Sequence, residues 1–173
     1  MNAEQAYRRT LRGMYIVLVL SAIGSGSNFL SNLFSGLFYG PLHAIYDSGE
    51  WRSMLPLLSK MSGQTDSSIF EAAMEQSMSV PRVVYLLWTL LYGMSLAGII
   101  LMFRRHKNGL HFYAIAQLLV LVVTLLFLGK AHLIVGEIMM TLLFIFYYWT
   151  TFRQLERLRP ADEEPSGEEE SEE

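Results

Sequence analysis

The chain has 173 residues, of which 52% are hydrophobic, and a formal net charge of −3. It contains no cysteine, which excludes disulfides, thiolate catalysis and cysteine-ligated metal centres. The net charge is misleading, because eight of the sixteen acidic residues lie in the last fourteen positions and the rest of the chain is basic. The apolar residues form four blocks of about twenty, which predicts an all-α, polytopic integral membrane protein with four transmembrane helices in a bundle.

The first block follows a short polar head, residues 1–12, which we expect in the cytoplasm. Residues 13–38 are predicted to form the first span, with a strongly apolar opening and a second half rich in Ser, Gly and Asn. A basic head followed by a short apolar core and small residues is also typical of a cleavable signal peptide. We favour a retained span because the apolar pattern continues to residue 38, and cleavage would leave the rest of the topology unchanged.

The region between the first and second blocks, residues 39–80, is the one sizeable loop, and we expect it outside the cytoplasm. It contains short amphipathic segments, one of them around Trp51 with Pro56 expected to bend it. Another begins at Ser68, where Ser68 and Glu71 have the spacing of a capping box. A mildly acidic amphipathic loop with a tryptophan is typical of a cap resting on the membrane surface.

Three further spans follow the loop. A six-residue basic turn and a second, shorter turn separate them. The acidic tail that follows has too few apolar residues to bury, so we expect it to be disordered. The predicted order is a second span at 81–103, a cytoplasmic turn at 104–109, a third span at 110–128, an outer turn at 129–132, a fourth span at 133–152, and a basic-then-acidic cytoplasmic tail at 153–173.

The distribution of basic residues predicts the orientation. Positively charged residues concentrate on the cytoplasmic side of membrane proteins. Nine of the thirteen fall at the ends assigned to the inside, so we expect both termini in the cytoplasm, in a bacterial cytoplasmic (inner) membrane. These topology and lipid-headgroup residues are Arg8, Arg9, Arg12, Arg104, Arg105, Lys107, Arg153, Arg157 and Arg159.

Glu137, near the outer end of the fourth span, is the main candidate for a functional side chain. An intramembrane acid is costly unless it finds a partner or faces the bundle interior. Asn28 and Asn32 lie at a comparable depth in the first span, and Thr141 shares a helix face with Glu137. We therefore predict an intramembrane polar cluster of these four residues with Lys130. The alternatives are a structural acid near the interface, paired with Lys130 or Arg82, and an acid whose side chain snorkels outward.

Small residues at helical spacing predict close helix packing, because they let backbones approach in lipid. Gly24 and Gly36 share a stripe with the two asparagines on the first span, and Gly93 and Ala97 form another on the second. These four residues are the predicted packing positions. Gln117 on the third span is expected to donate an interhelical hydrogen bond.

No catalytic motif is present, and His43 and His132 with Glu137 have no metal-ligand spacing, so we expect no enzyme activity, metal or cofactor. The expected partners are the lipid bilayer and a second copy or another membrane protein, not nucleic acid. The favoured function is a packing or scaffold protein, or an accessory subunit of a membrane assembly. The alternative is a small oligomeric transporter or channel subunit that uses Glu137 with the polar stripe of the first span.

Overall fold

A computed structural model of the chain describes residues 3–62, 68–106, 108–129 and 135–158. This part of the chain is helical apart from short turns, so the all-α prediction is confirmed. Its seven helices are α1 (Ala3–Leu37), α2 (Tyr39–Ser48), α3 (Trp51–Ser62), α4 (Ser68–Met78), α5 (Arg82–Phe103), α6 (Asn108–Leu128) and α7 (Val135–Leu158).

Helix α1 begins at Ala3, so the predicted polar head is not a separate segment but the first turns of the helix. This stretch is rich in good helix formers, and Nη2 of Arg8 donates to Oε1 of Glu4, 2.7 Å away and one turn earlier. At about 1.5 Å per residue α1 is about 52 Å long, well beyond a hydrocarbon core of about 30 Å. Its basic first turns therefore project beyond the apolar layer.

Helix α1 continues into α2 with little interruption. The N–H of Phe38 donates to the carbonyl of Phe34 (2.9 Å) and the N–H of Leu42 donates to the carbonyl of Phe38 (3.0 Å), which are helical hydrogen bonds across the junction. Helix α2 ends at Gly49, whose φ of +75° is the left-handed conformation that glycine adopts most readily at a helix end.

Helices α3 and α4 complete the predicted cap. Helix α3 runs through Pro56 as one helix, and its residues Trp51 and Leu55 are buried. Nε of Arg52 on α3 donates to Oε1 of Glu71 on α4 at 3.3 Å, which joins the two helices at an exposed position.

Helices α5 and α6 form the hairpin around the basic turn. Arg105 has a φ of +60°, its N–H donates to the carbonyl of Met102, and the N–H of His106 donates to the carbonyl of Leu101. This is the Schellman pattern of a helix end, with arginine in the place usually taken by glycine. Helix α6 already begins at Asn108, so Gly109, predicted in the turn, is helical.

Three helices, α1, α5 and α6, are long and apolar enough to cross a membrane among the described residues. Helix α7 contacts α1 and α6, but its last turns carry Arg153, Glu156 and Arg157. The fourth predicted span and the bundle are therefore not confirmed. Helix α7 continues to Leu158 and so includes the first residues of the predicted basic-then-acidic tail; the tail from 159 onward, with its predicted disorder, lies outside the described residues.

The buried stripe of α1 changes character along the helix. In the first half it consists of Met14 and Leu18, which join the main hydrophobic core, and in the second half it continues as Ser21, Ser25 and Asn32. The core therefore lies towards the basic end of the molecule, where it also contains Ile99 and Met102 of α5, Leu110 and Tyr113 of α6, and Tyr148 and Leu155 of α7.

Candidate functional site

The polar half of the α1 stripe makes hydrogen bonds to two neighbouring helices. Oγ of Ser21 lies 2.8 Å from Oη of Tyr148 on α7, and Oγ of Ser25 lies 3.0 Å from Oγ of Ser95 on α5. All four residues are buried. A buried hydroxyl needs a hydrogen-bond partner, and here Ser21 and Ser25 each find one across a helix interface.

Helix α6 joins the same network through Gln117, whose Nε2 donates to Oγ of Ser95 at 3.0 Å. The expectation that Gln117 donates an interhelical hydrogen bond is therefore confirmed. Ser95 is fully buried and contacts polar groups from both α1 and α6, so it is the central member of the network.

A cavity of about 260 Å³ lies beside this network. It is bounded by residues of α1, α5, α6 and α7, and its hydrogen-bonding groups are Ser21, Ser25, Asn28, Tyr92, Tyr113, Gln117 and Thr141. The remaining wall is aliphatic or aromatic. The cavity therefore combines convergent polar groups with an apolar surround, as small-molecule sites usually do.

A second cavity of about 300 Å³ adjoins the first, since Asn28, Tyr92 and Val120 line both. It extends towards the end of α4, where Oη of Tyr85 donates to the carbonyl of Ser77 at 2.8 Å. Trp88 also lines this cavity, and its buried indole N–H has no hydrogen-bond partner among the described residues.

The described walls of both cavities are electrically neutral. No Asp, Glu, Lys, Arg or His occurs among the described residues that line them. The chemistry offered to a bound molecule is therefore hydrogen bonding by hydroxyl, amide and indole groups, with aromatic and aliphatic packing around them.

The predicted polar cluster is brought together in part. Asn28 and Thr141 line the first cavity and Asn32 lines the second. Both asparagines hydrogen-bond to their own helix: Nδ2 of Asn28 donates to the carbonyl of Gly24 (2.9 Å), and Nδ2 of Asn32 to that of Asn28 (2.7 Å). The side chain of Glu137 and the whole of Lys130 lie outside the described residues, so their part in the cluster stays a prediction.

The predicted packing residues occupy different surroundings. A Cβ atom on Gly36 would lie 3.0 Å from Cδ2 of Leu86, and one on Gly93 would lie 3.4 Å from the ring of Phe29, so both glycines are at the contact of α1 with α5. Gly24 has no atom within 4 Å of such a Cβ and borders the first cavity. Ala97 is exposed. Packing of Gly24 or Ala97 against another chain stays a prediction.

The predicted basic clusters lie at one end of the molecule. Nη1 of Arg105 reaches Oη of Tyr7 at 3.4 Å, which places the α5–α6 turn beside the start of α1. Arg9 and Gln154 line a common surface cavity, which places the last turns of α7 there as well. Arg8, Arg9, Arg12, Arg104, Arg105, Arg153 and Arg157 are exposed, and Lys107 and Arg159 lie outside the described residues.

Several residues were not predicted from the sequence to belong to the site, namely Ser21, Ser25, Ser95, Tyr92 and Tyr148. The sequence of α1 does contain a pattern that predicts part of this site. Its polar residues Ser21, Ser25, Asn28 and Asn32 follow one another at intervals of four, three and four residues. They continue the spacing of the apolar residues Met14 and Leu18. Such spacing follows one face of a helix. Among the described residues, no group of three or more His, Asp or Glu could hold a metal ion.

Comparison with known proteins gives one result. No curated protein and no solved structure matches the chain. The sequence model of the TspO/MBR family matches residues 53–162, which is more than half of the chain and runs from α3 through α7. Helix α1, which supplies Ser21, Ser25 and Asn28, precedes the matched segment. The match shows that the chain belongs to the TspO/MBR family, a family of membrane proteins.

Proposed function

We propose that this chain is a non-enzymatic membrane protein that binds a small, uncharged molecule between its spans. The observation that carries the proposal is the pair of adjoining cavities, whose described walls are polar but contain no charged side chain. A charged ligand would lose its hydration there without gaining a counter-charge. A neutral ligand with hydrogen-bond acceptors would find donors, among them the indole N–H of Trp88.

The absence of enzyme activity is part of the proposal. The described cavity walls offer no carboxylate or imidazole that could act as general acid or base. The two serines nearest the network centre, Ser25 and Ser95, are hydrogen-bonded to each other and not to a base. This favours binding over chemistry and calls for no cofactor.

The proposed architecture has four spans, with α7 as the fourth. Fifteen uncharged residues separate Glu137 from Arg153 and would cover about 22 Å of the membrane. Tyr147 and Trp149 near the end of this stretch, which are less buried than Tyr148, suit a membrane interface. The arginines gathered at one end support an orientation with both termini in the cytoplasm, and we assign the protein to a bacterial cytoplasmic membrane.

Filling the first cavity tests the binding proposal. Gly24 borders this cavity and a Cβ there meets no atom within 4 Å, so Gly24→Phe adds bulk to the cavity without a backbone clash. Gly26→Phe is a matched control, since Gly26 also has open space around it and does not line either cavity. Purified full-length proteins would be extracted and their small, non-lipid molecules compared by mass spectrometry.

We expect a molecule that co-purifies with the natural chain and with Gly26→Phe to be lost from Gly24→Phe. The same set of molecules in all three proteins, or none in any, would contradict the proposal. That result would favour the second candidate function, a scaffold or accessory subunit.

The scaffold candidate is supported by the open polar stripe of α1. Gly24, Ser27 and Ser31 are exposed in this chain although they belong to an apolar span. Small polar residues in lipid are commonly covered by another helix. Crosslinking of the natural chain in native membranes would give a dimer or a complex with another protein if this candidate is correct, and only monomer if it is not.

Transport is the extension of the binding proposal in which a bound molecule moves between the two cavities. Thr141 lines the first cavity and lies one turn after Glu137 on α7. This spacing keeps Glu137 as the candidate intramembrane carboxylate of a transporter or channel subunit.

A further inference from the structure

Helix α3 lies outside the apolar spans and yet exposes large hydrophobic side chains. Its buried side consists of Trp51 and Leu55. Met54 and Leu57, three residues apart on the neighbouring flank, are 55% and 62% exposed. The charged side chain of Arg52, paired with Glu71 of α4, lies on the other flank, and Lys60, one turn after Leu57, borders the apolar flank. Helix α3 thus has one side towards the protein, one apolar flank and one polar flank.

The exposed surface of α2 continues that of α1. Phe34 and Phe38 are both exposed, and their rings stack at 6.0 Å between centroids. The helical hydrogen bonds across the junction keep Leu42 and Ile45, at intervals of four and three residues, on the same side as Phe38. Because α1 belongs to the membrane-spanning set, this side faces lipid, and Leu42 and Ile45 extend it without a break.

Three environments could cover these flanks: water, a second protein or lipid. Water is disfavoured because hydration of four large apolar side chains costs free energy in proportion to their area. Lipid is favoured over protein for two reasons. The exposed side of α2 continues the lipid-facing side of α1. On α3 the apolar flank and the flank of Arg52 are separate, which is the pattern of helices that lie in a membrane surface.

We propose that the α2–α3 segment lies in the membrane interface, with Leu42, Ile45, Met54 and Leu57 inserted at the top of the lipid acyl chains. The surface is a lipid-binding surface of the cap, separate from the cavities and independent of what they bind. Trp51, stacked on Tyr46 at 5.5 Å, joins the two helices on their protein-facing side.

The natural lack of cysteine makes a direct test possible, since any single cysteine is the only thiol. Leu57→Cys and Ile45→Cys would each be labelled with an environment-sensitive fluorophore and reconstituted as the full chain in phosphatidylcholine–phosphatidylglycerol vesicles. Arg52→Cys, at an exposed position on the other flank of the same helix, is the matched control. Iodide, present on both sides of the vesicles, reports water; a phosphatidylcholine with a nitroxide near the top of its acyl chain reports lipid.

We expect the probes at positions 57 and 45 to emit at shorter wavelength, to lose most of their emission to the nitroxide lipid and to resist iodide. The probe at position 52 should show the reverse. Iodide quenching at position 57 equal to that at position 52 would overturn the proposal in favour of water. Resistance to both quenchers, with energy transfer between differently labelled copies, would overturn it in favour of a second copy.

Discussion

At Gly98 and Gly109 the backbones of α5 and α6 come into direct contact. A Cβ added to Gly98 would lie 2.6 Å from the N of Tyr113 and 2.8 Å from the carbonyl oxygen of Gly109. A Cβ added to Gly109 would lie 2.6 Å from the N of Met102. Since these neighbours are backbone atoms, they cannot move aside without shifting a helix. The hairpin therefore depends on two residues without side chains.

Replacing either glycine should destabilise the protein. We expect Gly98→Ala and Gly109→Ala each to lower the free energy of unfolding by about 1–3 kcal/mol, because overpacking forces the helices apart. The measurement is thermal unfolding in detergent. Gly26→Ala is the control; its Cβ meets nothing within 4 Å, and stability should stay within about 1 kcal/mol of the natural chain. Equal thermal unfolding midpoints for all three variants and the natural chain would show that the backbones of α5 and α6 do not approach this closely in the folded protein.

Single residues were only partly predictable from the sequence. Gly36 and Gly93 were identified by spacing and lie at the α1–α5 contact, but Gly98 was passed over in favour of Ala97. The two positions differ by one residue, or about 100° around the helix, and spacing alone does not say which side of α5 faces α6. Tertiary packing decides this, and here it places Ala97 outside and Gly98 inside.

At the scale of helices, the apolar blocks predicted where the helices lie but not where they end. Helix α1 includes the polar head because helix formation in its first turns needs no apolar side chains, only good helix formers and the Glu4–Arg8 pair. Helix α7 is less apolar than α5 and α6 because charged residues follow its aromatic residues. The fourth span is thus the element whose membrane crossing most needs measurement.

Labelling of single cysteines in intact cells measures that crossing. Gln5→Cys, Asp47→Cys and Gln154→Cys place a thiol at exposed positions of α1, α2 and α7. With four spans, a membrane-impermeant maleimide should label position 47 in intact cells and positions 5 and 154 only after permeabilisation. Labelling of position 154 in intact cells, with position 5 protected, would mean that α7 does not return to the cytoplasm.

At the scale of the whole molecule, apolar side chains face outward and polar side chains face inward in the half that lies away from the basic end. Ile23 and Leu90, for example, are 64% and 63% exposed, whereas Ser25 and Ser95 are buried. This distribution is stable in lipid, where apolar side chains need no protein cover and hydroxyl groups need partners. A polar interior was predicted around Asn28, Asn32 and Glu137. Its actual centre at Ser95 and Gln117 depends on how three helices meet, which spacing within one helix cannot show.

The central claim, a polar cavity between the spans that is open to small molecules, is tested most directly by the reactivity of a thiol placed in it. Asn28→Cys lies at the junction of both cavities; Leu30→Cys lies at a similar depth on the exposed side of α1, and Ala116→Cys lies in packed protein. N-ethylmaleimide reacts with the thiolate, which forms in water and not in lipid or a packed core. In reconstituted vesicles we predict that Asn28→Cys reacts at least about tenfold faster than both controls. A rate at position 28 no higher than at positions 30 and 116 would contradict the account.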